Sequence, residues 1–479
     1  MFFSALRKIC IRTISLAVNR TVCLVVTLWA ALLLSGPVNA ANLGGDCCAD
    51  LEERVAELEA TAVRKGNRKV SLKLSGHVNR MLLYWDDTVN TDIYSVDNDD
   101  SESRFRLQGT ADITPDLSAG FLIVIGVVSA ESSLTDARID GNPNENADGL
   151  LRTRKASFNL THERLGKIRV GRDSPATDNI LQLNIAKNPI ADTDIDWAND
   201  FHLVRPHGTL GCNGAACRTT FNLDIVTASQ DTPRSDIVRY DTPSLRGLVL
   251  SAAWGEDDLA DIAFRYKKEW NSIRLIAGAG YLWFTDEREV RPSALIDCPP
   301  PGLGQLTCIE ERVDLERAAG SIAAMHTPTG LYVFAGAAQD YFGVNTLRAS
   351  IFTAPVTGRQ PPTAAMWYLQ GGIKNRFLVP SIGPTTLYGE YQKWDDFGVR
   401  RSSNSLGTDL TGGEIIDTSA DFWGFGMVQD IDAAAMKLYA ALRYWESEIQ
   451  VALPDEDPAG QDVPIEDFLT IAVGGRIYF

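Results

Sequence analysis

The side chains of this sequence that could do chemistry are mostly charges, and few are arranged for making or breaking bonds. An activated nucleophile needs a base within hydrogen-bond reach and a group that orients that base. The chain has five histidines, His77, His162, His202, His207 and His326, and no serine in a recognisable elbow. No catalytic residue, and no cofactor, is expected. His202 and His207 lie near Asp200, but loop histidines are ordinarily solvated, so no metal site is expected either. Cys212 and Cys217 bracket Asn-Gly-Ala-Ala, and Cys298 and Cys308 bracket a Pro/Gly-rich segment. In an exported chain such local pairs read as loop disulfides. A zinc reading would want Cys-x-x-Cys spacing, which is absent. Cys47 and Cys48 are adjacent, and whether they pair between subunits or stay reduced is open.

What is left is charge laid along alternating segments. From 104 to 113 the even positions are Arg104, Arg106, Gln108, Thr110 and Asp112, and the odd ones Phe105, Leu107, Gly109, Ala111 and Ile113. Asp261, Ala263, Arg265, Lys267 and Glu269 alternate in the same way with Ile262, Phe264 and Tyr266. So do Thr153, Lys155, Ser157, Asn159 and Thr161 with Ala156, Phe158 and Leu160. Arg239 shares a face with Asp241, opposite Val238 and Tyr240. The longest interval without a full alternating segment is 173–235, which holds Asp178, Asp192, Asp194, Asp196 and Asp200 against Lys187 and Arg205. Its negative balance suggests a preference for cations or neutral solutes wherever it faces water.

Period two with one polar and one apolar face is a strand with one side in water. Charges on one face of so many strands do not suit a sandwich, whose core is dry. They suit an all-β, 16-stranded antiparallel transmembrane β-barrel, apolar outside and wet within. Sixteen segments can be drawn between 69 and 479, joined by alternating long and short gaps, with 255–258 short where a long one is due. The stretch 218–229 also alternates, but counting it would make the number odd, so it is assigned to the long loop. Trp85, Trp283, Trp394 and Trp445 near strand ends fit an interfacial girdle. The acidic stretches 97–102 and 455–462 read as solvated tips.

The leader fits export. Arg7, Lys8, Arg12 and Arg20 precede an apolar run at 21–35 and a small-residue cleavage site at Val38-Asn39-Ala40, so residues 1–40 read as a signal peptide. No other run approaches eighteen apolar residues, so helical spans are excluded. The net charge of −17 becomes more negative once this basic leader is removed, which argues against nucleic acid as a partner. Residues 41–68 hold a short helix, capped by Asp50 and Glu53 and ended by Gly66. Leu51, Val55, Leu58 and Ala62 follow coiled-coil spacing, as in an oligomeric stem before the barrel domain 69–479.

Several of these segments, in order, resemble the general-diffusion porins of Gram-negative bacteria. Residues 51–72 resemble the alphaproteobacterial branch of that family. Gly166 to Arg172 resembles the strand leading into the third loop, and Asp236 to Gly247 the strand and turn that follow it. Gly474-Gly475-Arg476-Ile477-Tyr478-Phe479 resembles the closing strand with its terminal aromatic. The resemblance implies an outer-membrane homotrimer in contact with lipid and lipopolysaccharide, passing ions and small hydrophilic solutes. It places a pore constriction at Arg104, Arg172 and Arg239, to which alternation adds Arg106, with Asp192, Asp194 and Asp196 of the long third loop opposite. The length of that loop also allows a substrate-specific channel.

Overall fold

The computed structural model describes residues 69–135, 151–190, 201–206, 218–227, 232–256, 258–289, 310–342, 363–399, 403, 406–410, 412–453 and 457–479. The leader, the 50–65 helix, Asp192, Asp194, Asp196, Asp200, His207 and the cysteines at 212, 217, 298 and 308 lie outside the described residues.

Twenty strands are described. In chain order they are β1 (Ser71–Asp86), β2 (Thr91–Asp97), β3 (Arg104–Thr114), β4 (Leu117–Val127), β5 (Leu151–His162), β6 (Gly166–Asp173), β7 (His202–Val204), β8 (Arg218–Asn222), β9 (Ser235–Asp241) and β10 (Leu248–Gly255). There follow β11 (Ala260–Trp270), β12 (Ile273–Glu289), β13 (Glu310–His326), β14 (Leu331–Phe342), β15 (Thr363–Asn375), β16 (Thr385–Asp395), β17 (Glu414–Ile431), β18 (Met436–Leu453), β19 (Asp457–Val463) and β20 (Phe468–Tyr478).

All but β7 and β8 belong to one antiparallel sheet, closed by β20 pairing with β1 through rungs such as Asn79 to Arg476. The wall nevertheless has sixteen positions. One edge of β1 pairs with β3 over Ser71–His77 and with β2 over Arg80–Asp86, so those two strands share a place. The far edge of β18 is shared in the same way by β20 and β19. Closure gives the wall a partner on both sides at each of its sixteen positions, the condition for a sheet surrounded by hydrocarbon, while β2 and β19 extend it with a single ladder each. The alternation fixes which face is which. Leu74, Val78 and Leu82 of β1 stand exposed on the outside, while Asn79, Met81 and Leu83 are buried inside.

The residues 218–222 pair with His202–Val204 in a separate two-stranded sheet, so this segment is a loop hairpin and not wall. A short helix, Leu223–Thr227, continues it.

The interior is not wet throughout. Many inward positions of β12 to β18 are small or aromatic, such as Ala319, Ala323, Phe334, Tyr368, Phe422 and Tyr439, with buried polar pairs such as Arg317–Asp340 and Arg443–Glu390 among them. Against them pack Ala176, Ile180, Leu181, Ile185 and Ile190 of the third loop, all buried. Each large aliphatic side chain buried this way contributes roughly 1.5–3 kcal/mol. Gly278 of β12 makes room: a Cβ there would stand 2.8 Å from the Ile180 and Leu183 methyl carbons. Trp85, Trp394 and Trp445 also face inward and are buried, packing with Phe422, Phe468 and Phe201. Of the four tryptophans assigned to a girdle, only Trp283 is outward and exposed, where it joins Trp254, Trp270 and Trp367. Strand parity is the reason. Trp85 shares a face with Leu83 and Met81, and that face meets the loop.

Candidate pore constriction

The third loop enters after Asp173 and runs along the inner wall as a belt. Its carbonyls are taken in turn by wall side chains. Arg239 of β9 donates to Ser174 and Pro175 (3.1 and 2.7 Å), and Arg265 of β11 to Asp178 (2.7 Å). Ser321 of β13 donates to Ile180 (2.6 Å), Lys374 of β15 to Ala186 (3.0 Å), and Arg443 of β18 to Ile190 (3.1 Å). Thr177 is held by Asp261, and Asn184 donates to Gln370 at 3.0 Å. The belt therefore covers the inner faces of β9 to β18. The inward side chains of β3 stay open, with Arg106, Gln108 and Thr110 exposed.

Loop 1 folds inward as well. Asn98 donates to the Pro189 carbonyl of the belt (3.3 Å) and to Tyr439 (3.0 Å), and Tyr439 donates to Asn79 (2.8 Å). Asp97 accepts from Arg80, Ser129 and Ala130. The acidic stretch 97–102 is thus no solvated tip, since Asp97 and Glu102 are buried. Burial pushes the Asp99 carboxyl up to about 7, against the bonds it accepts from Ser133. Asp409 receives two bonds from Arg205 of the third loop and is held below the usual carboxylate range by them.

Glu102 is the hub of the basic wall. Its carboxylate accepts from Arg152 and Arg154, and its backbone carbonyl from His77 (2.9 Å) and Arg104 (3.0 Å). Two local features permit this. Gly126 of β4 stands on the rung between Arg104 and Arg152, and a Cβ there would collide with the Glu102 carboxylate. A bulge in β5 then inserts Arg154 between Lys155 and Thr153, so Arg152, Arg154 and Lys155 all face in and Thr153 faces out. Bulges re-aim side chains in this way. Simple alternation puts Thr153 on the inner face and so misses Arg152 and Arg154. The signal is present as three basic residues in four, 152–155.

The four arginines assigned to the constriction separate. Arg104 and Arg106 face inward on β3. Arg239 also faces inward, but it is buried, bonded to Asp241, and clamps the start of the belt. Arg172 does not face the lumen. It pairs with outward Ala156 and lies opposite exposed Asp236, on the outer side of β6. The inward basic residues of β6 are Lys167 and Arg169, the latter bonded to Asp241 at 2.7 Å. No group of three potential metal ligands occurs among the described residues.

Several solved structures are similar to this chain. The anion-selective porin from Comamonas acidovorans is 14% identical over 86% of this chain and 100% of its own, with a TM-score of 0.49. A trimer form of Vibrio cholerae OmpT is 12% identical, covering 86% and 99%, with a TM-score of 0.47. OmpF from Salmonella typhi, solved with daunomycin, is 13% identical, covering 86% and 98%, at 0.44. No curated protein matches. A family model described as Gram-negative porin matches residues 27–292, more than half of the chain. The barrel is an outer-membrane diffusion channel, and the chain belongs to the Gram-negative porin family.

Proposed function

We propose that the channel passes ions and small hydrophilic solutes passively through a narrow section between the third-loop belt and the strands β20, β1, β3, β4 and β5, with a preference for anions. One observation carries the sign. The described inward charges of these strands are Lys73, Arg104, Arg106, Arg152, Arg154, Lys155 and Arg476 against Asp112, and beside them loop 1 adds Asp99, Asp100 and Glu102 and the end of β6 adds Asp173, so the balance stays positive. Charges facing each other across a water-filled neck select the permeant ion. Asp192, Asp194 and Asp196 lie outside the described residues and are not counted in that sign; Arg239 serves the neck by holding the belt's first residues. The barrels act as homotrimers in lipid and lipopolysaccharide, and no catalytic step is involved.

The test is the reversal potential of refolded protein in a planar bilayer under a salt gradient. Wild type is expected to prefer anions and to insert with conductance steps in threes. Arg104→Glu with Arg106→Glu should move the reversal potential toward cations, and an unchanged potential would sink the placement.

A further inference from the structure

We infer that the outer wall holds a discrete site for one phospholipid with an anionic head group, its acyl chain lying in a groove across β9 to β12 and its phosphate at Arg246 and Lys268 on the periplasmic rim.

The groove follows from side-chain size on one outward face. Two neighbouring rungs cross these strands, Tyr240–Ala252–Ile262–Tyr281 and Leu250–Phe264–Ala279. Alanine at 252 and 279 leaves a floor between the rings of Tyr240, Phe264 and Tyr281, and the hollow measures about 530 Å³. It opens on the outside of the barrel, where the wall meets hydrocarbon. An unfilled hollow forfeits dispersion contacts on every side. A flexible acyl chain is the apolar shape that the membrane supplies to fill it.

Charge sets the direction of that chain and the class of its head group. Above the groove Tyr281 donates to Glu316, an exposed carboxylate that repels phosphate. Below it the turn between β9 and β10 carries Arg246, and β11 carries Lys268 on the same outward face as Ile262 and Phe264. Both are exposed, and neither meets a carboxylate among the described residues. Glu269, beside Lys268, is on the inner face and pairs with Arg274 at 3.0 Å. The adjoining turn adds Glu163 and Arg164, whose charges cancel. Short turns mark this rim as periplasmic. Two cations below an apolar groove, with a carboxylate above it, fit a lipid whose phosphate faces the periplasm. A zwitterionic head group would bring its own ammonium to the same cations, so a net negative one such as phosphatidylglycerol is favoured. Lipopolysaccharide, in the opposite leaflet, would bring its phosphates to the side of Glu316.

The test is native mass spectrometry of the full-length folded protein in detergent, titrated with phosphatidylglycerol or with phosphatidylcholine. One phosphatidylglycerol per chain is expected to survive detergent removal at concentrations where phosphatidylcholine does not. Arg246→Gln and Lys268→Gln should each raise the half-saturating phosphatidylglycerol concentration about fivefold. Ala279→Phe, which fills the floor, should abolish the bound lipid. Arg376→Gln, at another exposed turn, should leave retention unchanged. Heat-modifiable gel mobility confirms that each barrel is folded. Equal retention of the two lipids, variants indistinguishable from wild type, or an equal loss in Arg376→Gln would mean an unselective lipid annulus and overturn the site. A lipid-free oligomer that Ala279→Phe breaks into single chains would assign the groove to a second copy, and overturn it too.

Discussion

Arg443→Met probes the attachment of the belt most directly. Arg443 and Glu390 are wholly enclosed, with Nε donating to the carboxylate at 2.9 Å. The same guanidinium donates to the Ile190 carbonyl at 3.1 Å and stacks over Phe422 at 4.3 Å. Glu390 also accepts from Tyr368 at 2.7 Å. Removing the arginine leaves a buried carboxylate with that hydroxyl, and breaking a buried pair from one side costs about 3–5 kcal/mol. The lost bond to Ile190 adds roughly 1 kcal/mol. The double variant Glu390→Gln, Arg443→Met removes both charges together, so its cost should fall to about 1–2 kcal/mol. Urea unfolding in lipid vesicles measures both, with Trp394 and Trp445 as fluorescent reporters beside Phe422. A single variant within about 1 kcal/mol of wild type would refute the reasoning, and so would a double variant no more stable than the single one.

Two further outcomes are expected. Gly278→Val places a Cβ 2.8 Å from methyl carbons of both Ile180 and Leu183, so the belt should lift and single-channel conductance rise; unchanged conductance in a folded barrel would contradict the seating. Asp99, raised to about 7 from 3.8 by burial, favours its protonated form in the folded loop. Its contribution is therefore full below about pH 4 and lost as pH rises through 7. Amide exchange in 97–103 should accelerate between about pH 5 and pH 8 beyond the intrinsic chemical rate, and Asp99→Asn should abolish that excess.

Alternation at 104–113 and 261–269 names the inner face of β3 and β11 correctly, because a strand has no choice but to send neighbours to opposite sides. The even strand number follows from alternating gap lengths, and with it the place of 218–222 in the loop. Alternation fails at 152–155, since a bulge inserts a residue that no periodicity announces. Resemblance fails at Arg172, whose rung with Ala156 turns it outward.

The sequence by itself determined that this chain is a closed antiparallel barrel with a long third loop, because period-two patterning and gap lengths are local quantities. Only the tertiary structure decided what fills it. The same tryptophan can face lipid or a loop, and an acidic stretch can lie in water or grip arginines. Which occurs depends on what stands across the lumen. Asn98 meets Tyr439, Asn184 meets Gln370, and Glu102 meets Arg152. Pairing over such separations leaves no trace in the order of residues along a strand.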